Sequence, residues 1–424
     1  MGQGGRIPLG KLLSGTNRGE QEEHNDATAG TVSSSMLESS RKATVRLGRL
    51  CLWTVLTLFV ALCLTTLALA LRENAAQRDY ISYWSAGKLL VAHANPYDRA
   101  AVLNLEKDQG YTSQHLLLMR NLPWSLFLVV PLGFLSASTG ALLWVLAVIL
   151  SGLGSVFLLQ QIWQARPPLT AFLFAPVLVC AMAGQTSVFA LLGACLFFWL
   201  EKSRPIAAGV ALTLLAVKPH LAVLFWVVLL LEEVRRRRAG VLGGLAAGLL
   251  AESLLAIWLD PKVWIHYATA MRAERIQALY LPNLSCALRI VSGPKHVWVQ
   301  ALPMLAGLGF AVWFWRGRAE RWHWARYGAV LLMISVLVSP YSWLMDEALC
   351  LPALFYYHLR ASRAAGVVLG AANMLLLALV YYRGSLDSLV YLWTAPFWAL
   401  WCGYVHWHGL RGKVEARLET AGSQ

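Results

Sequence analysis

The sequence predicts an all-α, polytopic membrane protein with about twelve transmembrane helices, several of them, such as 186–200 and 205–217, shorter than the ~20 apolar residues a full span requires. Three observations lead there. The chain is 58% hydrophobic and only 14% charged, whereas a soluble domain carries about a quarter charged residues. Residues 121–165 and 167–200 contain no Asp, Glu, Lys or Arg. The basic residues collect in short connectors between apolar runs, the pattern that orients helical membrane proteins. The short alternating strands of a membrane barrel are absent from the sequence.

The apolar runs place spans near 50–71, 140–161, 168–183, 186–200, 205–217, 219–231, 239–259, 298–315, 325–338, 344–358, 364–381 and 388–408. Arg41, Lys42, Arg46 and Arg49 precede the first and put the N-terminus inside. The inner connectors then carry Arg166, Lys202 and Arg204, Arg235 to Arg238, Arg316 to Arg326, and Arg360 with Arg363. The segment 122–136, with Pro123 and Pro131, is too short to cross and reads as re-entrant or interfacial. Residues 1–44 are polar and aperiodic, a disordered cytoplasmic tail by composition. The membrane domain covers 45–410, and 411–424 forms a second cytoplasmic tail. The run at 50–71 is too long for a signal-peptide core.

The net charge of +14 is explained by the inner loops, so no nucleic-acid partner is called for. The seven cysteines show no CxxC pair or metal spacing.

This topology sends the polar, aromatic stretches to the outer face. Asp79 and Tyr83 share a helix face at i,i+4, with Trp84 beside them. Asp79 can be a general base, a metal ligand or an ion-pair partner of Arg78. Asn95-Pro96-Tyr97-Asp98 reads as a turn. Gln185, between Gly184 and Thr186, marks a break between two short helices. Lys218 precedes Pro219 and His220 at a span boundary, as a functional cation or as a lysine snorkelling to the interface. Pro219 suits the start of a helix whose free N–H groups would meet an anion. Tyr341, Trp343, Asp346 and Glu347 sit at another outer helix end. The loop 260–297 adds Arg289 and an Asn283-Leu284-Ser285 sequon. Trp and Tyr rings stack on sugars, and cations at a membrane surface suit a lipid phosphate.

In order and spacing these motifs form a pattern: Asp-x-x-x-Tyr-Trp-x-Ala-Gly (79–87), Asn-Pro-Tyr-Asp (95–98), the Pro-flanked segment, Gly-Gln (184–185), Arg-Pro-x-x-Ala-Gly leading to Lys-Pro (204–219) and Ser-Pro-x-Ser-Trp (339–343). The pattern resembles glycosyltransferase family 87, GT-C-class membrane enzymes that use polyprenyl-phosphate sugars, over roughly residues 45–410. The resemblance implies a GT-C-like fold with Asp79, in the first extracytoplasmic loop, as the catalytic carboxylate. It implies a lipid-phosphate site near Gln185 and Lys218. Mannose is the expected sugar, a lipid or glycan the expected acceptor, and the plasma membrane of a bacterial cell the expected location. Leu122-Pro123-Trp124 replaces the double proline of many relatives, and no His lies within or just after the Ser-Pro-x-Ser-Trp motif, where Tyr341, Met345 and Asp346 stand. The candidate substrate contacts are Tyr83, Trp84, Gln185, Lys218, His220, Arg289, Tyr341, Trp343 and Asp346. No metal set is demanded, although Asp79 with Asp98 or Asp346 could hold a divalent ion. The rival readings are a lipid-linked sugar flippase or transporter and an oligosaccharide ligase.

Overall fold

Prolines and small residues decide where the apolar runs become helices. In the computed structural model, which describes residues 79–113, 116–273, 281–293 and 296–422, those residues are helical or irregular and include no strand. They belong to the unit Ala70–Gln424. The helices of eight residues or more are α1 (Tyr80–Val91), α2 (Arg99–Asp108), α3 (Ala137–Trp163), α4 (Ala175–Ala183), α5 (Ser187–Leu200), α6 (Pro205–Leu215), α7 (Val223–Arg236), α8 (Gly240–Leu259), α9 (Val263–Arg272), α10 (Leu284–Ser292), α11 (Ala301–Arg316), α12 (Ala329–Val338), α13 (Leu351–His358), α14 (Arg363–Arg383) and α15 (Thr394–Gly422).

The all-α class holds, but the expectation of about twelve spans does not. Among the described residues four helices are long and apolar enough to cross a membrane: Ala137–Trp163, Gly240–Leu259, Trp298–Arg316 and Arg363–Arg383. The run at 50–71 lies outside the described residues. The other runs are cut short. Pro176, Pro205 and Pro352 each stand in the first turn of a helix, where a missing N–H costs nothing. The 14 residues of α5 reach about 21 Å at 1.5 Å per residue, less than a ~30 Å hydrocarbon core. The run at 219–231 opens on a 3-10 turn, Pro219–Ala222, and α7 ends in Glu232, Glu233, Arg235 and Arg236. The run at 344–358 is a 3-10 turn, Leu344–Cys350, carrying Asp346 and Glu347, followed by α13. The segment 122–136 folds as two short pieces, Pro123–Leu128 and Val130–Gly133.

These short pieces pack on the long helices through close backbone contacts. At Gly87 of α1 an added Cβ would stand 2.3 Å from the Val129 carbonyl oxygen. Glycine is the residue that lets α1 and the 130–133 turn touch there.

The helix ends sort into two groups. One is basic: Arg235 donates to Glu232 and to the Ala319 carbonyl at 2.9 Å, and Arg360 lies over the rings of Tyr356 and Trp163 at 3.7 and 5.7 Å. Lys202, Arg318 and Arg326 belong to the same end. The opposite end gathers α1, the segment 116–136, the 216–222 connector, α10 and the 339–347 segment, joined by side-chain hydrogen bonds between them.

Candidate active site

Residues from four stretches of chain meet in one hydrogen-bond network at this second end. The break between α4 and α5 starts it. Gly184 closes α4 with φ +72, a left-handed conformation that suits glycine. Its carbonyl accepts from Trp144 Nε1 at 2.7 Å. Gln185 then projects between α1 and the 216–218 connector. Its Nε2 donates to Asp79 Oδ2. Its Oε1 accepts from Tyr83 Oη and from Lys218 Nζ, each at 3.1 Å.

Lys218 extends the network. Its ammonium donates to Ser187 Oγ at 2.9 Å and to Asp346 Oδ1 at 2.7 Å. With Gln185, these acceptors take all three donors of the ammonium. Ser187 Oγ also donates to Asp346 Oδ1, and Asp346 Oδ2 accepts from the Trp343 N–H at 2.8 Å. Lys218 and Asp346 are buried, and a buried ion pair persists only when its remaining groups are also hydrogen-bonded. Asn121 and Trp124 fix the connector by donating to the Val217 and Ala216 carbonyls at 3.0 and 2.8 Å.

Asp79 is half-buried at the start of α1. Burial raises its carboxyl above the usual carboxylate range, against the Gln185 hydrogen bond and the charges of Lys218 and Arg120. Arg78 lies outside the described residues. Asp346 is pushed up by burial, but Lys218, Ser187 and the Trp343 N–H together hold it below its ordinary value. His220 is pushed down to about 4 by burial, so its imidazole is neutral near pH 7. Its Nε2 is buried without a hydrogen-bond partner, and its ring lies 5.6 Å from that of Tyr341. Tyr341 Oη accepts from Arg120 Nη1 at 3.3 Å and from Trp343 Nε1 at 2.6 Å.

The structure therefore joins Asp79, Tyr83, Gln185, Lys218 and Asp346 directly, and sets His220, Tyr341 and Trp343 beside them. Two expected contacts stand apart. Trp84 is buried and donates to the Leu135 carbonyl at 3.1 Å, anchoring α1. Arg289, also buried, donates to Cys286 Sγ at 3.3 Å. Asp98 does not join Asp79; it caps α2 by accepting from the Ala100 and Ala101 N–H groups, each at 3.0 Å. The Asn283 sequon is closed to modification in the folded chain. Asn283 is buried, accepts from the Cys286 N–H and donates to Ser342 Oγ at 3.0 Å. Pro219 opens a four-residue 3-10 turn, and beyond it the Leu224 N–H donates to Ser335 Oγ at 3.0 Å. Glu347 points to α15, accepting from Thr394 and from Trp398 Nε1 at 2.7 Å.

Sequence reasoning passed over Ser187, Arg120 and Glu106. Arg120 carried a signal: it is a cation on the face where the charge pattern expects few. Glu106 on α2 is fully buried, and Asp79 and Glu106 lie close enough for their charges to interact. Among the described residues no group of three or more His, Cys, Asp or Glu could hold a metal ion.

The fold and this network now meet an independent comparison. The model of glycosyltransferase family 87 matches residues 122–340, just over half of the chain. The chain belongs to glycosyltransferase family 87. No curated protein and no solved structure matches it. The family-87 match is narrower than the 45–410 suggested by the motifs. It contains Gln185, Ser187, Lys218, His220 and Arg289. Asp79, Tyr83 and Trp84 precede it, and Tyr341, Trp343 and Asp346 follow it. The network thus ties residues inside the family-87 region to residues on both sides of it.

Proposed function

We propose that this family-87 protein transfers one sugar, mannose in the first place, from a polyprenyl-phosphate donor to a lipid or glycan acceptor at the extracytoplasmic membrane face. The observation that carries this reading is the Asp79 carboxylate, raised in basicity and held by Gln185 on the Lys218–Asp346 pair. A base of that kind suits removal of a hydroxyl proton.

The acceptor hydroxyl attacks the anomeric carbon and gives its proton to Asp79. The bond from that carbon to the phosphate oxygen breaks, and its electron pair leaves on polyprenyl phosphate. One negative charge on the donor phosphate becomes two on the product. In this reading Arg120 and the neutral His220 donate to that oxygen, which is where charge develops. Lys218 positions Gln185, and through it Asp79. Tyr341 and Trp343 offer ring faces to the sugar. A divalent metal, where present, would add Lewis-acid stabilisation of the phosphate; every step above uses the chain's own groups.

The test uses the purified full chain in detergent with synthetic short-chain polyprenyl-phosphate mannose and a membrane lipid extract as acceptor. A radiolabelled product should form without any second compartment. Asp79→Asn should lower the rate by about two to four orders of magnitude while the protein stays folded. Donor bound but never consumed, with transport across vesicles instead, would favour the flippase reading.

A further inference from the structure

A polar cavity of about 340 Å³ lies at the basic end of the bundle, away from Asp79. Glu201, Lys202, Pro205, Glu233, Arg238 and Trp324 contribute to its lining. Glu201 follows α5 and Glu233 stands near the end of α7, so the short lengths of both helices bring the two acids together. They are 8% and 5% exposed. Oε2 of Glu233 is buried and has no hydrogen-bond partner. A buried carboxylate oxygen left unpaired is costly and calls for a donor.

The charges of the lining define that donor. Two acids lie deep, while Lys202 and Arg238 are exposed at the rim. The four formal charges cancel. A ligand carrying both signs can meet each of them without leaving net charge in a partly dry site. A primary ammonium brings three donors to the carboxylates, beside a wall to which the buried Trp324 contributes. A phosphate suits the lysine and arginine at the rim. Exposed apolar residues lie within two positions of the lining in sequence: Trp199, Ile206 and Val234 are all more than half exposed. That surface suits acyl chains.

We propose that this cavity binds a phosphoethanolamine headgroup, with the ammonium between Glu201 and Glu233 and the phosphate at Lys202 and Arg238. The site is distinct from the Asp79 network and does not depend on the transfer reading.

The test follows the thermal unfolding midpoint of the purified full chain in detergent while a probe is titrated, since a ligand that binds only the folded state raises it. The probes are short-chain phosphatidylethanolamine, phosphatidylcholine, phosphatidylglycerol and water-soluble phosphoethanolamine. Phosphatidylethanolamine should give a saturable rise. Phosphatidylcholine, whose ammonium has no N–H, should bind about tenfold more weakly or worse, the loss expected for one charged hydrogen bond. Glu233→Gln should weaken phosphatidylethanolamine by a similar factor and phosphatidylcholine, which keeps only the charge attraction, by less. If that variant does not fold, Lys202→Ala at the exposed rim reports on the phosphate end and should also weaken the ethanolamine lipid. A rise with the lipid alone places the source in the bilayer; a rise with soluble phosphoethanolamine as well extends the site to a free headgroup. Equal affinity for all three lipids, or undiminished phosphatidylethanolamine binding by the variants, would overturn the proposal.

Discussion

Lys218 and Asp346 hold opposite charges 2.7 Å apart with almost no access to water. Removing one member strands the other. Lys218→Gln should cost about 3–5 kcal/mol, the usual penalty for breaking a buried pair. Adding Asp346→Asn should return most of that, because no uncompensated charge remains. Transfer activity should stay low in both, since the anchor of Gln185 is gone. Chemical and thermal unfolding of the single and double variants, beside their rates, separate the two effects. Glu106 makes a different prediction. Burial first, then the charge of Asp79, raises its carboxyl to about 7 from an ordinary 4.5. The folded state therefore holds a proton that the unfolded state releases between those values. By linkage, stability should fall as pH rises from about 4.5 to 7. Glu106→Gln should flatten that slope, read as the unfolding midpoint against pH. An unchanged slope would mean that Glu106 ionises normally.

At the level of elements, the site depends on how closely α1 can lie against the Val130–Gly133 turn. A Cβ at Gly87 would collide with the Val129 carbonyl oxygen, and backbone cannot swing aside as a long side chain can. Gly87→Ala should therefore destabilise by about 1–3 kcal/mol, as overpacking does. It should also slow transfer more than the stability loss explains, because α1 carries Tyr83 and is preceded by Asp79. Gly403→Ala on α15 is the matched control. Nothing lies within 4 Å of its added Cβ, so it should stabilise that helix by about 1 kcal/mol. Equal behaviour of the two variants would remove the close contact from the account.

At the scale of the whole molecule, the two ends differ in charge and in chemistry. The basic end should face the cytoplasm by the positive-inside rule, with the Asp79 network on the other side. The five described cysteines are free and buried, and replacing all seven in the chain gives a background for introduced thiols. Ser138 and Ser203 are exposed at opposite ends. A single cysteine at Ser138 should react with an impermeant reagent on intact cells. One at Ser203 should react only after permeabilisation. The reverse result would move the proposed chemistry to the cytoplasmic face.

Composition, charge-free runs and basic connectors were enough to establish a helical membrane protein, because lipid imposes those patterns locally. The ordered motifs were enough for the family, which the match over 122–340 establishes. They also singled out Asp79, Gln185 and Lys218, because polar groups beside apolar runs stand out in any reading of the chain. Span number was not legible. Apolar runs of similar composition became a 27-residue helix at Ala137–Trp163 and a 9-residue helix at Ala175–Ala183; Pro176 and Gly184 bound the second, but hydropathy counts an apolar run without registering that such residues divide it. Nor was the partner of Lys218 legible. The sequence offers a lone cation awaiting an anion; the fold supplies Asp346 from 128 residues away. The unpaired Glu233 oxygen is of the same kind. Local pattern records what each residue needs, and only the packed chain decides which distant residue meets that need.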